Sequence, residues 1–409
     1  MATRPSVKNP LTVLRRHRNF RIFWLGQTAS LIGTWMQSVG QGWMALQLTN
    51  SAFMVGLVAA AGAFPVMLLS LYGGVIADRH DKLKLVTIAQ ALLLVQASLL
   101  WWFVWSGHIT VGWLLGLTLA NGAISAFEVP ARQSFIIDLV VKEDLAEAIA
   151  LNAGGFNLAR IIGPSIAGLV IHEAGLAWCF AINALSYLAV LISLFRIKLQ
   201  RRPQVAASGS FLEGFLQGAR YTRRTPEVWS LMRLVGVFAI FSAPYLALMP
   251  VIARDVLHGN AGSYGWLLTS VGIGGLAGAL ALATLGQRAR GLLLERASYA
   301  FSILLMAFSL SRSVPLSCML LLGIGFTMIL TNAVANGLLQ GLVPDALRGR
   351  VMAAYVWVVV GVGPVIGPFL AGLAAKAIGS ATTVGIGAAV TLIYARYVFS
   401  RRSELRALV

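Results

Sequence analysis

Gln27, Ser30, Thr34, Gln37 and Gln41 recur at intervals of three and four residues, which lines them along one helix face. Thr118, Asn121, Ser125 and Glu128 repeat the pattern. Asn332, Asn336 and Gln340 do so again near the C-terminal end, with Thr327 and Thr331 on the adjoining face. Neutral amides and hydroxyls donate and accept hydrogen bonds but are poor nucleophiles and bases at neutral pH. The chemistry they offer is therefore recognition of a polar solute, or hydrogen bonding between helices. Enzymatic chemistry needs clustered nucleophiles, metal ligands or acid–base pairs. His17, His80, His108, His172 and His258 are scattered, with no Cys or carboxylate at ligand spacing. No glycine-rich loop runs into a Lys-Ser or Lys-Thr pair. The residues describe no enzyme, no cofactor site and no metal site.

The elements that must carry these stripes are set by composition. Hydrophobic residues make up 58% of the 409 and charged residues 11%, and the mean hydropathy is +0.80. The apolar runs are long and lack strand alternation, so they are helices, and each is about as long as a bilayer is thick. Twelve spans are expected, at about 21–45, 53–77, 85–106, 109–131, 147–171, 176–196, 228–253, 263–286, 292–311, 314–338, 350–373 and 379–399. Polar groups within them must face a wet cavity or one another, because lipid satisfies no hydrogen bond.

The net charge of +18 does not imply nucleic acid. In the odd-numbered loops between spans the basic residues are Arg254, Arg312 and Lys376; apart from Arg160, the rest fall on the opposite side or at its span ends. That asymmetry places both termini in the cytoplasm. Trp101, Trp102, Trp105, Trp113 and Trp178 gather at the outer interface and Trp24 and Trp229 at the inner one. Residues 1–20 carry Arg4, Lys8, Arg15, Arg16 and Arg18 and no acid, a basic segment lying on anionic headgroups. It runs into a retained first span, not a cleaved signal peptide. Cys179 and Cys318 both sit in apolar runs and suggest no disulfide framework.

The domain organisation expected is a basic segment 1–20, a six-helix half 21–196, a linker 197–227, a second six-helix half 228–400 and a tail 401–409. The linker holds Pro203 and Ser208-Gly209-Ser210, and then Phe211, Leu212, Phe215, Leu216 and Ala219 at helical spacing, which predicts a short interfacial helix. The halves repeat. Gly163, Pro164 and Gly168 in span five are answered by Gly363, Pro364, Gly367 and Gly372 in span eleven, at an offset of 200 to 204 residues. An internal repeat of this kind places a binding site between the halves, near the bilayer midplane.

Between spans two and three lies a tight charged hairpin, Gly73-Gly74-Val75-Ile76-Ala77-Asp78-Arg79-His80-Asp81-Lys82-Leu83-Lys84. It resembles the loop between helices two and three of the major facilitator superfamily, with Gly74, Asp78, Arg79 and Lys82 on the family pattern, Asp81 in place of a Gly and Leu83 in place of a basic residue. Gly33-Thr34-Trp35-Met36-Gln37, Pro130-Ala131-Arg132-Gln133-Ser134, Asn157-Leu158-Ala159-Arg160-Ile161-Ile162-Gly163-Pro164 and Leu347-Arg348-Gly349-Arg350-Val351-Met352 are similar to the secretion-effector branch, which includes the enterobactin exporter. The likeness runs from about residue 15 to 400.

That resemblance implies an all-helical membrane protein of twelve helices in two pseudo-symmetric halves. It implies a monomeric secondary transporter of a bacterial inner membrane, working by alternating access and driven by protons, that exports a siderophore, macrolide-like drug or other amphipathic metabolite. A lipid or lysophospholipid flippase of the same fold is the alternative. Helices one, four, seven and ten line the cavity of this fold, so the expected substrate residues are Gln27, Ser30, Thr34, Gln37, Gln41, Asn121, Ser125, Arg160, Phe241, Tyr245, Asn332 and Asn336. Gly74, Asp78, Arg79, Lys82, Glu128, Arg348 and Arg350 form the expected conformational latch, with Lys82 paired to Glu128 and Asp78 capping helix eleven. Gly163, Pro164 and Gly168, with Gly363, Pro364 and Gly367, sit at the rocking interface. Glu128, Asp78 and Asp138 are the coupling candidates.

Arg160 is the deepest charge, about 13 residues into span five and so roughly 20 Å along it. It meets an anionic substrate, a carboxylate such as Glu128, or a structural ion-pair partner.

Overall fold

A computed structural model describes residues 11–197, 211–284 and 290–408. Arg4, Lys8, Pro203 and Ser208-Gly209-Ser210 lie outside them. The described chain is helical, with no strand among the described residues. Twelve long helices follow one another: α1 Arg18–Thr49, α2 Ala52–Arg79, α3 Lys82–Trp105, α4 Val111–Leu139, α5 Leu145–Glu173 and α6 Leu176–Phe195 form one half. In the other half are α7 Pro226–Val256, α8 Ala261–Thr284, α9 Arg290–Leu310, α10 Val314–Leu342, α11 Asp345–Ile378 and α12 Ser380–Arg401. Eleven of them are long and apolar enough to cross a membrane. The twelfth, α1, has the length, but its polar stripe lowers its hydropathy.

The helices begin and end where local chemistry allows it. Asp81 caps α3 by accepting from the Lys84 N–H at 3.2 Å, and Thr110 caps α4 by accepting from the Trp113 N–H at 3.3 Å. Each cap satisfies one of the orphan donors of a helix start. Gly175 precedes α6 at φ 92° and Gly379 precedes α12 at φ 84°. Both positions need the left-handed region that glycine enters without strain. They lie 204 residues apart, so the repeat seen in sequence is also a repeat of backbone conformation.

The halves join chiefly along two pairs of helices, α2 with α11 and α5 with α8. Both joints are made of small residues. A Cβ on Gly168 would stand 2.9 Å from the Gly265 Cα, and one on Gly372 would stand 3.2 Å from the Gly56 Cα. Without side chains at these points the backbones approach closely, as small-residue helix interfaces require. Gly168 and Gly372 are themselves 204 residues apart. Ser165 Oγ and Thr269 Oγ1 at 2.6 Å cross one joint, and the Trp357 Nε1–H donates to the Met67 carbonyl at 3.1 Å across the other.

Prolines bend the helices that flank the space between the halves. In α7 the stretch Phe238–Ser242 is a π-turn, where the Ala243 N–H reaches the Phe238 carbonyl five residues back, at 2.9 Å. Pro244 follows it and donates no hydrogen bond. In α11 the π-turn Trp357–Val362 precedes Pro364 in the same way. Such turns concentrate at functional sites.

A short helix, Phe211–Arg224, lies against the start of α11. Its Gly218 lets the Arg350 backbone pass close by, Arg350 bonds the Gln217 side chain, and the Phe215 ring stands edge-on to Trp357 at 5.7 Å.

Candidate functional site: a cavity between the halves

Between the halves lies a cavity of about 630 Å³, within the range of small-molecule sites. Its walls come mainly from α1, α2, α4, α7, α10 and α11. Val, Ala, Gly and Pro make up most of the wall, with Trp35, Phe238, Tyr264 and Phe301 as the aromatic surfaces. The polar groups are Ser38, Gln41, Thr118, Asn121, Ser125 and Asn332, and no lining residue carries a charge. A few neutral hydrogen-bonding groups on an apolar wall suit a molecule that is amphipathic and needs orientation more than neutralisation.

Of the twelve residues expected to face a substrate, Gln41, Asn121, Ser125 and Asn332 line this cavity. Gln27, Ser30, Thr34, Gln37, Arg160, Phe241, Tyr245 and Asn336 are not among the lining residues. The α1 stripe divides. Gln37, only 2% exposed, accepts from Asn183 Nδ2 at 2.8 Å and donates to Gln96 Oε1 at 3.3 Å. Thr34 Oγ1 meets the Tyr187 hydroxyl at 3.3 Å and donates to the Ser30 carbonyl at 3.0 Å. Gln27 is buried. Gln37 and Thr34 tie α1 to α3 and α6 within one half, whereas the buried Gln27 Oε1 has no partner among the described residues. Gln41 stands at the boundary, donating to Thr118 Oγ1 at 3.0 Å while facing the cavity. Asn336 accepts from Gln340 Nε2 at 2.6 Å, and Phe241 is exposed on α7.

The expected Lys82–Glu128 pair does not form. Lys82 Nζ sits 3.1 Å from Asp138 Oδ2 instead. Glu128 lies ten residues back along α4, roughly 15 Å deeper, beyond the reach of a lysine at the membrane face. There Arg132 Nε donates to Glu128 Oε1 at 2.8 Å and Gln90 Nε2 donates to the same oxygen at 3.1 Å. The carboxylate is 5% exposed. With Glu128 and Asp138 so engaged, Arg160 pairs with neither of them.

The rest of the latch set is not assembled in this state. Asp78 and Arg79 are exposed at the end of α2. Arg348 is held within its own half by Asp345 and by the Gln340 carbonyl at 3.0 Å, and Arg350 by Gln217 of the linker helix. A Cβ on Gly74, Gly154, Gly341 or Gly349 would meet nothing within 4 Å. On the opposite face Arg254 Nη1 donates to Asn50 Oδ1 at 2.8 Å, Trp43 stacks on Tyr264 and Phe53 stands edge-on to Phe369. Polar and aromatic contacts between the halves therefore gather on the face away from the termini, and among the described residues no ion pair joins the halves on the face that bears them. In the helix-five and helix-eleven segments, a Cβ on Gly163 would stand 3.0 Å from the Ile32 carbonyl, one on Gly363 2.6 Å from the Ala239 Cβ, and one on Gly367 2.6 Å from the Pro244 Cγ.

Several residues of the site escape a reading by stripes. Gln90 and Gln96 in α3, and Asn183 in α6, hold the network together. Each is an amide in an otherwise apolar helix, which is itself the signal. Glu295 falls inside the ninth span as drawn from the sequence; it is buried, and Arg406 Nη2 donates to it at 2.7 Å. That bond raises the Arg406 pKa further above its ordinary value. Among the described residues no cluster of three His, Cys, Asp or Glu side chains could hold a metal.

Twelve helices in two related halves, joined along small-residue seams around an uncharged cavity, define a multi-pass membrane transporter of the major facilitator fold. The chain belongs to the transmembrane secretion effector family, whose pattern matches residues 9–408. It is similar to the enterobactin exporter EntS of Shigella boydii, at 26% identity over 83% of this chain and 82% of that one. To the staphyloferrin A transporter of Staphylococcus aureus it is 27% identical over 61% of this chain, a match that spans 63% of that protein. In fold it is similar to a bacterial homologue of the human lysosomal transporter Spinster in an inward-facing, occupied conformation, with a TM-score of 0.74 at 14% identity over 94% of this chain and 96% of that one. The nucleoside transporter NupG superposes with a TM-score of 0.69 at 12% identity, covering 93% and 98%.

Proposed function

We propose that this transporter exports an amphipathic small molecule of the siderophore kind from the cytoplasm across a bacterial inner membrane by alternating access. The observation that carries the reading is the cavity, uncharged and amide-studded, lying on the seam between halves whose polar and aromatic contacts gather at one end. The named relatives, a siderophore exporter and a siderophore transporter, supply the substrate class. The strongly one-sided distribution of Lys and Arg supports cytoplasmic termini, and with them a cavity that opens to the cytoplasm, where an exporter loads.

In the opposite state the face that bears the termini must close. Asp78 is free to dock at the N-terminus of α11 beside Arg348, where a helix start attracts an anion. The driving ion is a proton, and Glu128 is its candidate carrier, the deepest carboxylate of α4 and bonded to Arg132 and Gln90. Asp138, tied to Lys82 at the membrane face, is placed less well for that role.

The test is thermal stabilisation of the purified protein by a catecholate siderophore, a macrolide, a cationic dye and a lysophospholipid, followed by proteoliposome transport of the ligand that binds. A ligand at a hundredfold excess over its dissociation constant stabilises by about 2.7 kcal/mol. Stabilisation and transport of the siderophore support the proposal. A response to the lysophospholipid alone contradicts it and makes the chain a flippase.

A further inference from the structure

Arg160 does not behave like the ion-paired charges of the molecule. Lys82, Arg132, Arg254 and Arg406 each have a carboxylate within 3.1 Å. Arg160 lies midway along α5, its Nε is buried without a hydrogen-bond partner, as is that of Arg290 at the start of α9, and among the described residues no ion pair within 4.0 Å involves Arg160. A guanidinium stays charged at any physiological pH, and an unpaired charge at that depth is costly. Helices keep such a group where it has work to do.

Its side chain leaves its own half. α8 carries glycines at Gly272 and Gly275 where α5 crosses it, and the Arg160 guanidinium occupies the place where a Gly275 side chain would begin. Ile329 of α10 borders the same notch, and its neighbours on α10, Met328 and Asn332, line the cavity. Tyr245 of α7, 1% exposed, has a hydroxyl that is also buried without a partner, within electrostatic range of Arg160. The Arg160 Nε and the Tyr245 hydroxyl, one from each half, are thus two buried donors without partners among the described residues, close behind the wall of an otherwise neutral cavity.

We propose that Arg160 and Tyr245 form an anion subsite on the seam between the halves, which takes a carboxylate of the transported molecule while the neutral cavity holds its apolar body. This rests on the transporter reading above. The guanidinium fork matches a carboxylate through two parallel hydrogen bonds, and the phenol supplies a third donor. Because Arg160 moves with one half and Tyr245 with the other, the pair is complete in one arrangement of the halves and separated in the other. An anion held between them is bound tightly in one state and released in the other, which is the difference in affinity that a ligand needs to shift a two-state equilibrium.

The test compares ligands matched in shape and unlike in charge: salicylate against salicylamide, and indole-3-acetate against indole-3-acetamide, by thermal shift on the detergent-purified full chain. The expected result is stabilisation by at least one carboxylate, with its amide at least about tenfold weaker. Arg160→Gln abolishes that preference and Arg160→Lys retains part of it. Tyr245→Phe removes a hydroxyl that has no partner in the ligand-free protein, so it leaves the ligand-free melting temperature unchanged and still weakens the carboxylate about tenfold. The proposal is overturned if no carboxylate binds, if acid and amide bind alike, or if the preference survives both Arg160→Gln and Tyr245→Phe. Should Arg160→Gln fail to fold, Tyr245→Phe alone decides it. Siderophore stabilisation that persists while carboxylates show no preference sinks the subsite and spares the exporter; loss of both sinks the exporter as well.

Discussion

The two ends of the seam between the halves are built from different materials. Away from the termini, Gly56 faces Gly372 and Gly168 faces Gly265, with aromatic pairs and the Arg254–Asn50 bond around them. On the face that bears the termini, the residues are charged, and their described partners do not cross to the other half: Lys82 is held by Asp138 and Arg348 by Asp345 within their halves, and Arg350 by Gln217 of the linker helix. Backbone contact between glycines depends on shape, falls off within fractions of an ångström and is insensitive to charge. A charged face opens and closes by exchanging one partner for another. One end is thus a fit that exists or does not, and the other a set of charges that can be re-paired.

Four substitutions probe that contrast, from the largest expected effect to the smallest. Glu128→Ala attacks a half from within by leaving Arg132 buried and unpaired, and should cost about 3–5 kcal/mol by chemical denaturation or thermal shift. A smaller loss would mean that the halves are not held as bodies by their internal polar contacts. Gly168→Leu puts a side chain where the Gly265 backbone stands and should cost about 1–3 kcal/mol, while driving that end of the seam apart and stopping transport. Wild-type turnover from this variant would remove the glycine seam from the account. Trp357→Phe deletes the one donor to Met67 and should cost about 0.5–1.5 kcal/mol, with a matching fall in transport rate. Asp78→Asn touches an exposed residue and should change stability by less than about 0.5 kcal/mol, yet slow transport severalfold by weakening the charged face when it closes. If it slowed nothing, the re-pairing of that face would have no place in the cycle.

The sequence carries the fold plainly, because a span of apolar residues has one solution in lipid and the Gly-Pro segments repeat at a fixed offset. It carries the site only partly. The spacing of Gln27, Ser30, Thr34, Gln37 and Gln41 names a helix face, and a face of a tilted helix passes from the cavity to the neighbouring helices along its length. Gln41 ends in the cavity and Gln37 in the bonds to Gln96 and Asn183. Nothing in the spacing says where that passage falls. Lys82 shows the same limit: Glu128 and Asp138 are both acids on α4, and only their depth decides which one a lysine at the membrane face can reach. Arg160 was legible as the deepest charge. That it crosses to α8 at Gly275 depends on packing between residues more than a hundred positions apart.

Alternating access is the central claim, and its direct test is a pair of distances in the same protein. Spin labels at Lys84 and Gly341 report the face that bears the termini, and labels at His108 and Ser313 report the other, after Cys179 and Cys318 are replaced. Double electron–electron resonance in nanodiscs, with and without the ligand found by thermal shift, gives both distributions. The account predicts reciprocal change: as the Lys84–Gly341 distance shortens, the His108–Ser313 distance lengthens. Distances that stay fixed, or that move in the same direction, contradict it.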